Sequence, residues 1–204
     1  MKVEQVVVEP LSTNCYIVYD GRKGVVIDPG GNAQKIIKII NSLGIELKYI
    51  INTHGHSDHI GANTALKKEF PKAEIAIHKE DSDMLTEPQK NLSALMGEKV
   101  VSPTADIKLE DADFFEVGNM KIEVLHTPGH TPGGIMLLVE DLIFSGDTVF
   151  KMSVGRTDLP GGDTATLRKS LKEFSKLMTE DLTIYPGHGP KTSVYFEKEN
   201  NQYF

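Results

Sequence analysis

A single cysteine, Cys15, stands among 204 residues, so no disulfide can form within the chain. The fold must come from burial instead, and a composition of 39% hydrophobic and 25% charged residues is sufficient for a sizeable core. No apolar run approaches the roughly 20 residues of a membrane span. The opening MKVEQVVVEPLSTNCYIV lacks the basic start, long apolar stretch and small-residue cleavage site of a signal peptide. Basic residues are outnumbered 22 to 29, for a formal charge of -7. That balance argues against broad nucleic-acid binding, which needs a basic footprint, though it permits a local basic pocket. Tandem repeats, low-complexity tracts and linkers are also missing. The expectation is one cytoplasmic, soluble domain over residues 1–204 that acts on a small molecule, with no nucleic-acid or membrane partner and its oligomeric state open.

The chain opens with strand-like runs at Val3–Glu9, Asn14–Tyr19 and Gly24–Asp28, bounded by Pro10, the Asp20-Gly21 turn and Pro29-Gly30-Gly31. Ala33, Ile36, Ile37, Ile40 and Leu43 fall at helical spacing, with Gly44 where a C-terminal cap belongs. Tyr49-Ile50-Ile51 reads as a buried strand, residues from Gly61 to Phe70 as a second helix, and Ile75–Ile77 as another strand. The 82–111 segment, with Pro88, Gly97 and Pro103, is the least regular and suits a lid or surface excursion. Strand signals return at Lys121–Leu125, Ile135–Val139, Leu142–Phe144 and Leu182–Tyr185. Between the last two lies a helix capped by Asp163 or Thr164, with Leu167, Leu171, Phe174 and Met178 facing inward. Two mixed β-sheets packed face to face with helices outside, an α/β four-layer sandwich, account for this order.

Residues 53–59 read T-H-G-H-S-D-H, which puts four potential metal ligands at the end of an apolar strand. In extended backbone His54 and His56 point the same way and can reach one ion. Asp58 and His59 follow where the chain turns and can serve a second, unless Asp58 only caps the next helix. Gly55 leaves room for a sharp path between the histidines. His130, Asp147 and His188 each follow a glycine at the end of a later strand, as expected of tight loops that present one side chain. Imidazole and carboxylate donors suit zinc, and also iron or manganese. A carboxylate with two oxygens can bridge two ions, and Asp147 is the candidate. Without cysteine in these loops, a closed structural zinc site is not expected.

H-x-H-x-D-H, followed by Gly-His, Ser-Gly-Asp and Pro-Gly-His-Gly, resembles the metallo-β-lactamase superfamily over about Asn14 to His188. The resemblance implies an αβ/βα sandwich with two divalent metal ions at one edge. His54, His56 and His130 would hold the first, Asp58, His59 and His188 the second, with Asp147 between them. Thr13-Asn14-Cys15-Tyr16, Asp28-Pro29-Gly30 and Gly155-Arg156-Thr157-Asp158 resemble the glyoxalase II-like branch. That branch implies hydrolysis of an S-hydroxyacyl-glutathione thioester by a metal-bridging hydroxide, with Asp58 as catalytic residue.

Residues 189–204 are all that follow His188, whereas glyoxalase II enzymes carry a longer helical tail that helps hold glutathione. Another thioester, a lactone or a small ester therefore stays open. Lys151 and Arg156, near Asp147, are candidates for a substrate carboxylate. Persulfide dioxygenases resemble this pattern too, including Gly-Arg-Thr-Asp, but use a single iron. A non-enzymatic metal-binding protein is the remaining alternative. His126 is expected in the core or beside the site, His78 in solvent, and Cys15 as a packed small hydrophobe.

Overall fold

Alternation of side chains along each strand sorts the apolar residues into separate layers. In the computed structural model, which describes residues 1–204, one sheet contains β1 (Lys2–Val8), β2 (Thr13–Asp20), β3 (Lys23–Ile27), β4 (Glu46–Ile51), β5 (Glu74–His78) and β6 (Ile107–Leu109) in that order. The first three pair antiparallel and the rest parallel. Helices α1 (Ala33–Leu43), α2 (Ser57–Ile60) and α3 (Asn63–Glu69) lie in the connections. The second sheet is built from β7 (Phe114–Val117), β8 (Met120–His126), β9 (Ile135–Val139) and β10 (Leu142–Gly146). A short hairpin, β11 (Val149–Phe150) and β12 (Ser153–Val154), and helix α4 (Thr164–Leu177) follow. β13 (Thr183–Pro186) and β14 (Thr192–Ser193) complete that sheet before helix α5 (Val194–Asn200). Its order is β14-β13-β10-β9-β8-β7, with only β10 and β13 parallel.

Tyr16, Val18, Val25, Ile27 and Ile51 of the first sheet meet Ile122, Val124, Leu137, Val139 and Phe144 of the second in one buried layer. The alternate residues Cys15, Ile17 and Val26 face outward instead, against Ile36, Ile40 and Leu66 of α1 and α3. On the opposite side Met136, Ile143 and Ile184 pack against Leu167, Leu171 and Phe174 of α4 and Val194 of α5. The result is the expected metallo-β-lactamase-type sandwich of two mixed sheets with helices outside. Each fully buried Ile or Leu contributes roughly 1.5–3 kcal/mol. No helix is long and apolar enough to cross a membrane.

Local signals held where a cap was explicit. Gly44 ends α1 in the left-handed region at φ 64°, and the Asp163 side chain accepts the Thr166 N–H at 2.6 Å to start α4. Other expectations need correcting. Leu43, the last residue of the apolar spacing in α1, is 38% exposed. The helix expected over Gly61–Phe70 begins at Asn63, since the preceding residues form the separate turn α2. The 82–111 segment is tied down rather than loose. Two 3-10 turns, Lys79–Leu85 and Ser93–Met96, precede β6, and the buried Asn91 donates to Met84 O and Val100 O at 2.9 Å each. His78 is buried, not solvated, and stacks on His126 with ring centroids 3.9 Å apart.

Candidate metal centre

β4 runs in parallel between β3 and β5, so the chain leaving it emerges at the sheet edge beside the ends of their neighbours. There the Thr53 loop meets the turn after β8, the end of β10 and the turn after β13. Asn14 N donates to Gly187 O at 2.7 Å and Thr13 bridges to His188, which pins the last turn to β2. The seven side chains singled out from the sequence converge. His54, His56 and His130 form one group of donors, and Asp58, His59 and His188 a second, with the donor atoms of each group within 4.8 Å of one another.

Asp147 lies between the groups. Its Oδ2 is 3.6 Å from His130 Nε2 and 3.6 Å from His188 Nε2, while Oδ1 is 3.4 Å from His59 Nε2. His188 Nε2 is 3.2 Å from Asp58 Oδ2, and His56 Nδ1 is 2.9 Å from His130 Nε2. Asp58 belongs to the first turn of α2, but its carboxylate caps nothing; Oδ2 accepts the Thr13 hydroxyl at 2.8 Å.

Hydrogen bonds behind the cluster set the imidazole faces. His130 Nδ1 donates to Arg156 O at 2.7 Å, which leaves the Nε2 lone pair facing the cluster. Asp28 accepts both Thr53 N and Thr53 Oγ1 at 2.7 Å. Its Oδ2 also lies 3.0 Å from His59 Nδ1, near enough for an ion pair although the N–H points off the hydrogen-bond line. Asp28 sits at φ 50°, a left-handed backbone that Asp tolerates better than most residues.

Electrostatics divides the imidazoles. Burial, then the surrounding histidines, holds His54 well below the ordinary range and pushes His56 down to about 3. Both are therefore neutral and free to donate lone pairs. Burial also opposes charge on His59, but Asp58, Asp147 and Asp28 outweigh it and lift that group to about 10. His188 is raised against its own burial by Asp58 and Asp147. Burial would raise Asp58, yet His59, His188 and Thr13 hold it well below the usual carboxylate range. A field that draws protons onto the buried His59 and the half-buried His188 also attracts cations. His54 Nε2 and Asp147 Oδ1 are buried with no hydrogen-bond partner, and a cation supplies the partner each lacks. The histidine and aspartate cluster thus fits a dinuclear metal site.

Asp81, which the sequence did not single out, clamps two of the loops. Its Oδ2 accepts Gly55 N at 3.1 Å and its Oδ1 accepts Gly133 N at 2.7 Å. Gly55 is needed for a different reason from the one expected: a Cβ there would run into Met84 Cβ. Asp81→Ala leaves two buried N–H groups without acceptors, at about 1–3 kcal/mol each. We expect a lower Tm and metal affinity reduced about 10–100-fold, measured by thermal melting and competitive metal titration; unchanged affinity would show that the clamp does not position the histidines.

The cluster opens onto a cavity of about 510 Å³ lined by His56, Asp58, His130, Asp147 and His188 at its base. Arg156 lines it too, but its guanidinium is held by Asp158 through contacts of 2.8 and 2.7 Å. Lys151 is absent from the lining; its Nζ lies 5.2 Å above the Phe196 ring, because the β11–β12 hairpin turns it toward α5. That hairpin is anchored by the buried Glu197, which accepts Met152 N at 2.9 Å, and by Asn201, which donates to Ser153 O.

The family model described as the metallo-beta-lactamase superfamily matches residues 8–188. The hydroxyacylglutathione hydrolase GloC of Haemophilus influenzae is 35% identical, over 100% of this chain and 98% of its own. Among solved structures, BLEG-1 B3 metallo-beta-lactamase superposes with TM-score 0.93 at 32% identity, covering 99% of both chains. TTHA1623 in a di-iron-bound form gives 0.87 at 33%, over 98% of this chain and 100% of that one. ETHE1 from Myxococcus xanthus gives 0.83 at 27%, over 99% and 84%.

Proposed function

Because the chain belongs to the metallo-beta-lactamase superfamily, we propose that it is a two-metal hydrolase that cleaves a small thioester. The observation that carries this reading is the position of Asp147, within 3.6 Å of nitrogens from both histidine groups. His54, His56 and His130 would hold one ion, Asp58, His59 and His188 the other, with Asp147 placed to serve both. Zinc is the proposed resident metal on donor chemistry; the di-iron form of TTHA1623 makes iron the main competitor. When bound, the pair supplies an activated water and Lewis acidity toward a carbonyl.

The chain's own residues do the rest. Thr13 holds Asp58 Oδ2, which leaves Oδ1 to accept a hydrogen bond from the attacking water and aim it at the substrate carbonyl. Arg156 O and Asp28 fix the His130 and His59 rings, so their donor atoms need not reorganise during the reaction. Phe150 and Val154 of the anchored hairpin line the cavity and limit water around the reacting carbonyl.

Likeness to GloC supports the thioester. Likeness to BLEG-1 makes a β-lactam the second candidate substrate, and ETHE1 fits the single-iron persulfide alternative. The deciding assay loads chelator-stripped protein with defined metals and offers thioesters, lactones, a cephalosporin and, with iron, glutathione persulfide. We expect thioester turnover with two ions per chain and none after chelation. Metal at a hundredfold excess over Kd should add about 2.7 kcal/mol of stability per site, seen as a higher Tm. Oxygen consumption with one iron per chain, and no hydrolysis, would overturn the proposal.

A further inference from the structure

We infer that the non-reacting arm of the substrate is apolar and uncharged, so that the preferred thioester is not a glutathione conjugate. The inference rests on the hydrolase reading above. Above its polar base the cavity is walled by Leu92, Leu95, Met96, Phe150, Val154 and Leu159. Leu95 is 73% exposed and Met96 47%, although a chain with this much charge has polar residues to place at a rim.

This wall is built, not incidental. Leu92 sits at φ 69°, a backbone conformation rare for a bulky side chain and typical of functional sites. The turn Ser93–Met96 that carries Leu95 is fastened to the metal loop through Asn91, whose carbonyl accepts Ser57 N at 2.9 Å and whose Oδ1 accepts Ser93 N at 3.1 Å. Asn91 itself is fully buried. The metal loop and the Leu92–Met96 part of the wall are therefore tied together through one buried side chain.

Charge points the same way. A glutathione conjugate carries two carboxylates and one ammonium, so its unpaired glycyl carboxylate calls for a cation. Arg156 is the one Lys or Arg in the lining, and Asp158 already occupies its fork. Desolvating a carboxylate against leucine and methionine without a partner is unfavourable. A cavity of about 510 Å³ suits a small ligand with a medium alkyl arm.

The test uses two series of neutral thioesters built on N-acetylcysteamine-like groups, one lengthening the acyl chain and one the thiol chain from two to eight carbons. S-lactoylglutathione is run beside them on the metal-loaded protein. In at least one series kcat/KM should rise about two- to fourfold per methylene until the cavity fills, and exceed that for S-lactoylglutathione. Leu95→Asp, at an exposed position where folding is not at stake, should flatten that slope. A second readout needs no turnover: calorimetric titration of the chelated protein with the thioether N-acetyl-S-octylcysteamine should show binding with a negative ΔCp, at least tenfold tighter than S-methylglutathione. Hydrolysis that is flat in both series, or fastest on S-lactoylglutathione, overturns this inference and leaves the hydrolase reading standing. No thioester turnover with two ions bound overturns the hydrolase reading and this inference with it.

Discussion

On the proposed two-metal reading, Asp58→Ala should lower thioester turnover by about 10³-fold or more, because it removes the proposed ligand and water-orienting group together. The side chain is 3.2 Å from His188 Nε2, 3.4 Å from His59 Nε2 and 2.8 Å from Thr13 Oγ1. Without it, His59 and His188 offer two imidazoles and no terminal carboxylate, too few donors for a tight second site. Metal content should fall from about two ions per chain to about one. His188→Ala removes a ligand and retains Asp58, so it should produce the same stoichiometry. The His54, His56 and His130 group should keep its ion in both variants. Metal analysis by mass spectrometry, beside kcat on a neutral thioester, checks the two effects separately. Turnover within tenfold of the parent with one ion lost would remove Asp58 from the chemistry and leave it as a ligand alone.

How much of this was legible in the sequence depends on the range of the interaction. T-H-G-H-S-D-H is local, and period-2 geometry places His54 and His56 on one side before any fold is known. The single-residue motifs at His130, Asp147 and His188 needed the family pattern to join them, and the structure brings them together. What supports them is long-range and leaves no local mark. Asp28 is 25 residues from Thr53, and Asp81 is 52 from Gly133. Nothing in the spacing of either says which backbone N–H it will meet. The Asp28-Pro29-Gly30 motif was visible as a signature, but its task of holding Thr53 and His59 was not. β6 and β7 went unread because Ile107–Leu109 and Phe114–Val117 are short and set among turn residues. His78 looked solvated because it ends a strand; its burial comes from stacking on His126, a partner 48 positions away. The apolar wall of the cavity was hidden for a related reason. Leu92, Leu95 and Met96 stand in the segment that had the weakest periodicity, on and just before a 3-10 turn.

The glycine before each later ligand was read as a loop signal, and at Gly187 the geometry turns that into a strong prediction. A Cβ at this position would fall inside van der Waals contact of Asp147 Oδ1 and 2.8 Å from His59 Cε1. Neither neighbour can yield cheaply. Asp147 sits where both groups of histidines meet it, and His59 is fully buried against Asp28. The carbonyl of Gly187 is also tied to Asn14 N at 2.7 Å, so the β13 turn cannot simply lift away. Gly187→Ala should therefore displace the carboxylate that lies between the two donor groups. A misplacement near 1 Å at a reacting centre costs on the order of 10²-fold in rate, and here the carboxylate proposed to serve both ions itself moves. We expect kcat lower by that factor or more, with a weakened second ion and little change in KM for a substrate whose arm contacts the opposite wall. Gly189→Ala, two residues on, is the matched control: its Cβ would meet open space, although its φ of 76° adds some backbone strain. If both variants lose activity equally, the turn's backbone and not the crowding at Asp147 is responsible.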